Sequence, residues 1–124
     1  MTTALTTQTL ESSFALKLHA LLCRSYVKGR DWYDFVWYVT RKIRPDLALL
    51  EHALDQQGPW AGRRMNITWA WMIETLRVVI GQIDWSTARQ DVQRFLPLRE
   101  QESLSLWGSE FFLYYADMME TMAP

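Results

Sequence analysis

Hydrophobic positions recur at three- and four-residue intervals along most of the 124-residue chain, the pattern of helices that bury one face. Leu10, Phe14, Leu18, Leu21 and Leu22 make the first stripe, on a helix capped by Thr9 or Ser12 and running to about Arg24, where Ser25 to Gly29 break it. A second stripe, Trp32, Phe35, Val36, Val39 and Ile43, predicts a helix opening near Arg30 or Asp31, with Asp31 placed against the positive helix end. Arg44-Pro45 closes it. Pro45 suits the first turn of a third helix, which carries Leu47, Leu50 and Leu54 and stops at Gly58-Pro59.

Residues Gly58 to Arg64 read as the longest loop. Asn66 is the expected cap of a fourth helix with Trp69, Ile73, Leu76, Ile80 and Ile83 on its seam, and Asp84 that of a fifth with Trp85, Ala88, Val92 and Phe95 on one face before Pro97. Leu104, Trp107, Phe111, Tyr114 and Met118 repeat the pattern in a sixth. The expected fold is mainly α, a single compact helical domain of about six helices over residues 1–124. One segment departs from it. Thr3 to Leu10 alternates loosely and is rich in Thr, which suits a short N-terminal edge strand whose sheet would lie elsewhere.

Composition narrows the function. With 49% hydrophobic and 22% charged residues, the chain has the balance of a soluble globular domain. Thirteen basic against fourteen acidic residues give a net charge of -1, so no whole-molecule basic field draws nucleic acid or an acidic membrane, and any such contact is local. A single cysteine, Cys23, excludes an internal disulfide. The first residues lack the basic and apolar regions of a secretion signal, and no apolar run approaches the ~18 residues of a membrane span, so the expected location is the cytoplasm, with no membrane partner. Aromatic residues, 14% of the chain with seven Trp, serve either to enlarge a small helical core or to form a surface held for a partner.

The densest polar constellation is KLHALLCRSYVKGRDWYD, residues 17–34. Lys17 and Arg24 are seven apart and lie on nearly one line of the first helix, beside its apolar stripe. Asp31 and Asp34 share a face of the second, and Arg30 precedes Asp34 by four. Two readings stand side by side. Lys17 and Arg24 could hold triphosphate oxygens while an acid orients a hydroxyl or supports a metal, or the four groups could form a salt-bridge network across the hairpin. Elsewhere, His19 and His52 lack partners at metal-ligand spacing, and Cys23 has no local base. Trp60, Arg63 and Arg64 suit either a solvated loop or one stacked base with a phosphate contact, and Glu100 and Glu102 are explained by a helix dipole.

Lys17-x-x-Ala20-Leu21-x-x-Arg24 followed by Arg30-Asp31-x-x-Asp34 resembles the later motifs of the AbiEii/AbiGii family of nucleotidyltransferase toxins. The surrounding FALKLHALLCRSYVKGRDWYDFVWYV, and later DWSTARQDVQRFL and LSLWGSEFF, extend the likeness over nearly the whole chain. The resemblance implies DNA polymerase β-like enzymes of toxin–antitoxin and phage-abortive systems, which use a nucleoside triphosphate with Mg²⁺, in some cases to modify RNA. It implies Lys17 as the nucleotide-contacting lysine and Asp31 or Asp34 as the late catalytic or structuring acid. Arg24 and Arg30 become supporting phosphate or acid partners.

The chain departs from the family pattern in one respect. The family core supplies a Gly-Ser turn and then an Asp-x-Asp pair that holds the metal, whereas here Gly108-Ser109 comes late and no Asp-x-Asp follows. The expectation is therefore the helical C-terminal part of such an enzyme, its N-terminal catalytic core missing, inactive alone and holding no metal or nucleotide by itself. Its expected partners are a separately encoded nucleotidyltransferase core, an antitoxin and RNA. The other reading is a stand-alone protein-interaction module, or a remnant without function, derived from such a toxin.

Overall fold

The computed structural model describes residues 9–124. Seven α-helices and one 3₁₀ turn account for the regular structure of these residues, and no strand occurs among them. The expected strand falls almost wholly outside the described residues. Its last residue, Leu10, instead opens a helix.

Helix α1 spans Leu10–Cys23 and starts at Thr9, whose hydroxyl accepts the Ser12 amide at 3.0 Å. Phe14, Ala15, Leu18, Leu21 and Leu22 are buried as the spacing requires. Helix α2, Gly29–Thr40, ends short of Ile43. The Lys42 amide bonds to the Val39 carbonyl and the Ile43 amide to the Tyr38 carbonyl, with Lys42 itself left-handed at φ 57°. That is a Schellman closure with lysine where glycine is usual.

Helix α3, Leu47–Gln56, is capped by Asp46, and α4, Trp69–Gln82, by Thr68 rather than the expected Asn66. The reason lies across the fold: Glu51 of α3 accepts the Ile67 amide at 2.7 Å and holds the approach to α4 extended. Helix α5, Trp85–Gln93, is capped by Asp84, which accepts the amides of Ser86 and Thr87. The expected sixth helix is divided into α6 (Leu98–Gln101), a 3₁₀ turn (Glu102–Leu106) and α7 (Ser109–Glu120). Ser103 and Ser105 turn their hydroxyls back onto the carbonyls of Glu100 and Glu102 at 2.8 and 2.9 Å, competition that favours the tighter turn.

Helix α4 packs on α7, α1 on α3, and α2 on both α1 and α5. The core at their junction is aromatic: Trp32 of α2, Trp85 of α5, Trp107 and Phe112 are all buried. Trp85 and Phe112 stack at 4.1 Å with planes 7° apart, and Trp32 meets both edge-on. Burying each such side chain contributes about 1.5–3 kcal/mol, so much of the aromatic content serves the core. On α1 only Leu10 and Leu16 among the large apolar side chains are exposed, and the rest of the stripe is covered. Three positions assigned to buried faces by periodicity are exposed instead, Leu10, Phe95 and Tyr114. Phe95 lies beyond the end of α5, in a turn ahead of Pro97, so the helical period no longer directs its ring inward.

Helices α2 and α5 approach closely where α2 begins. A side chain at Gly29 would run into the Ala88 carbonyl and the Val92 side chain, so only glycine fits there without a shift. The Gly29 amide donates to Asp91 Oδ2 at 2.7 Å, so the uncapped start of α2 is satisfied by α5.

Candidate functional site

The α1–α2 hairpin brings together four of the five site residues read from the sequence. Lys17 Nζ lies 2.8 Å from Asp31 Oδ1 and 3.0 Å from Asp34 Oδ2. Arg24 Nη1 lies 2.9 Å from the other Asp31 oxygen. That approach is an ion pair without hydrogen-bond alignment, for the buried Nη1 has no hydrogen-bonding partner. The salt-bridge network foreseen from spacing is therefore present.

Burial divides the acids. Asp31 is only 5% exposed and has a cation on each oxygen, which meets the requirement that a buried carboxylate be paired. The Asp34 side chain is 47% exposed and shares Lys17 from the rim. Burial pulls the Lys17 ammonium down, but hydrogen bonds and charge from Asp31 and Asp34 outweigh it and leave its pKa raised.

Arg30 does not join Asp34. Its guanidinium carbon sits 4.4 Å from the centre of the Phe95 ring, and neither Arg30 nor Lys28 forms an ion pair with any described residue. These two cations, with Lys17, Asp34 and Phe95, line a recess of about 310 Å³ over the outer edge of α2. A second recess of about 230 Å³ opens on the other side of Asp31 and is lined by Arg24, Ser25, Tyr26 and Gln82. Periodicity could not reveal Lys28 and Phe95 as lining residues, because Lys28 precedes α2 and Phe95 follows α5, both outside regular helix.

The remaining candidates stay apart from this cleft. His19 bonds the Gln57 carbonyl at 2.9 Å, and His52 is exposed on α3. Burial raises the pKa of the Cys23 thiol, the opposite of what an activated nucleophile needs. Trp60 meets Trp71 edge-on at 5.4 Å, and the loop arginines Arg63 and Arg64 are exposed. Glu100, assigned to a helix dipole from the sequence, accepts the Tyr33 hydroxyl at 3.0 Å beside a groove of about 630 Å³ that also includes Trp37, Trp107, Phe111 and Tyr115. Burial, then Glu100, raises the Tyr33 pKa.

The Mg²⁺ implied by the family resemblance does not fit these residues. Among the described residues no three His, Cys, Asp or Glu side chains converge as a metal site, and both oxygens of Asp31 face cations. Lys28 and Arg30, in contrast, carry charge that no described acid pairs, in a recess that Asp31 and Asp34 also line. Among the described residues no helix is long and apolar enough to cross a membrane.

No curated protein matches the chain significantly, and neither does any solved structure. The family model described as nucleotidyl transferase AbiEii toxin, Type IV TA system, matches residues 1–114, which include the whole α1–α2 constellation. The chain belongs to the AbiEii nucleotidyl transferase toxin family.

Proposed function

We propose that this chain is the helical part of an AbiEii-type nucleotidyltransferase toxin and that its α1–α2 cleft binds the phosphates of a nucleoside triphosphate destined for RNA. The observation that carries the reading is the recess in which Lys28 and Arg30, free of acids, stand beside Lys17. Lys17 is the nucleotide-contacting lysine, steadied between Asp31 and Asp34, and Arg24 and Arg30 support it. Asp31 acts as a positioning acid, for its oxygens are both engaged, whereas Asp34 is the acid that reaches the cleft. No Asp-x-Asp occurs in the 124 residues, so the carboxylates that hold Mg²⁺ come from outside them, and these residues alone are inactive. The cognate antitoxin of a type IV system is its other partner, and its place of action is the cytoplasm.

Binding of tripolyphosphate by the full chain tests the phosphate reading. Lys28→Ala combined with Arg30→Ala should weaken it at least tenfold at low salt, and equal binding by wild type and variant would refute it. Incompleteness is tested with labelled triphosphates, Mg²⁺ and RNA: turnover by the chain alone that disappears in Lys17→Ala would overturn it.

The aromatic groove favours a second reading, a protein-interaction module whose partner docks beside Trp37. In that case Lys17→Ala and Asp34→Asn preserve partner affinity and Trp37→Ala abolishes it.

A further inference from the structure

We propose that Arg30 and Phe95 together form the stacking platform for the base of the bound nucleoside triphosphate, an inference that rests on the phosphate reading of the neighbouring cleft.

Phe95 is the exposed one of the five phenylalanines, and unlike the exposed Tyr26, Trp37 and Tyr114 it lines a recess rich in cations. Trp32, Phe35, Trp85, Trp107 and Phe112 are buried, while Phe95 is 50% exposed at the mouth of the recess that holds Lys17, Lys28 and Arg30. Two guanidinium groups converge on its ring, Arg30 at 4.4 Å and Arg94 at 5.0 Å from the centre. Among the described residues Arg30 has no ion pair, and Arg94 has a single long one, at 4.0 Å to Asp91. Two cations with little acid compensation against one exposed ring favour an anionic ligand that also carries a flat π-system. A nucleoside triphosphate has both features, and stacking on arginine or aromatic planes accepts any base because every base has a π-face.

The arrangement also assigns the parts of the ligand. The base meets the arginine that the Phe95 ring backs, and the phosphates turn toward Lys17 and Lys28, which line the same recess. Phe95 thereby distinguishes a nucleotide from a bare polyphosphate, which the cations alone cannot do.

The test compares tripolyphosphate with the four ribonucleoside triphosphates by calorimetry on the full chain, for wild type, Phe95→Leu and Phe95→Trp. Phe95→Leu should weaken every nucleoside triphosphate by about tenfold and leave tripolyphosphate unchanged, and Phe95→Trp should restore the affinity. Because the ring is half exposed, the variants should keep the wild-type helical spectrum and melting temperature. Equal loss for nucleotide and tripolyphosphate, or no loss in Phe95→Leu, overturns the platform while the phosphate reading stands. Weakened binding of a short oligoribonucleotide with unchanged triphosphate affinity overturns it in favour of an acceptor base. If wild type binds no tripolyphosphate, the phosphate reading fails and the platform fails with it.

Discussion

The Lys17 ammonium donates to Asp31 Oδ1 at 2.8 Å across the α1–α2 hairpin, joining residues fourteen apart in the chain and tying the mouth of the cleft to the buried edge of α2. Arg24 closes on the second oxygen at 2.9 Å, so one buried carboxylate serves two basic side chains. Lys17 and Arg24 are themselves about a quarter exposed, at 23% and 25%, which limits the cost of freeing them.

Asp31→Asn should therefore destabilise the chain by about 3 kcal/mol, the lower end of what breaking a buried pair costs. Asp34→Asn, on the rim, should cost about 0–1 kcal/mol. Urea unfolding of the two variants measures the difference, and equal losses would show that burial does not separate the two acids.

The raised Lys17 pKa has a definite sign in stability. A lysine whose folded value lies above its unfolded value of about 10.4 contributes stability that is fully present below that pH and lost as pH rises through the folded value. The pair should thus hold steady through neutral pH, and Lys17→Met should remove part of the alkaline loss. In a competitive acylation at pH 8, Lys17 should react more slowly than Lys28, and Asp31→Asn with Asp34→Asn should speed it.

Two glycines should respond to alanine in opposite directions. Gly29→Ala drives a methyl group into the Ala88 carbonyl and Val92, and forced overpacking of this kind costs about 1–3 kcal/mol or more. Gly81, in the last turn of α4, has open space around it, and Gly81→Ala should stabilise by about 0.5–1 kcal/mol. Melting temperatures of the two variants should straddle that of the wild type.

Asp84 gives the acid limb. The Thr87 amide, the Thr87 hydroxyl and the Ser86 amide hold its pKa below the ordinary value, so its contribution to stability is present above about pH 3.9 and is lost as pH falls through the lower folded value. Asp84→Asn keeps an oxygen acceptor for the cap but no titration, so its melting temperature should fall less steeply on acidification. Asp84→Ala should melt lower at every pH.

Local chemistry made much of this architecture legible in the sequence. Thr9 and Asp84 act as caps because a side-chain oxygen reaches an amide two or three residues on, a matter of neighbouring residues only. The meeting of Lys17 and Arg24 with Asp31 likewise follows from helical spacing and one short connection. What periodicity missed depends on distant residues. Thr68 replaces Asn66 as a cap because Glu51 holds Ile67, and α2 stops early because Lys42 takes a left-handed conformation that sequence patterns reserve for glycine. Glu100 finds Tyr33 sixty-seven residues away. The exposure of Phe95, on which the platform depends, follows from a chain reversal before Pro97 rather than from its place in a hydrophobic stripe.

The close seating of Gly29 on α5 has a mechanical consequence. Arg30 follows Gly29 directly, and Phe95 lies four residues beyond Asp91, the acid that grips the Gly29 amide. The arginine and the ring it rests on therefore belong to one stiff platform whose geometry is set when the helices pack. A ligand landing on it finds a surface already shaped, so the loss of conformational freedom that recognition requires is incurred largely during folding and not at capture.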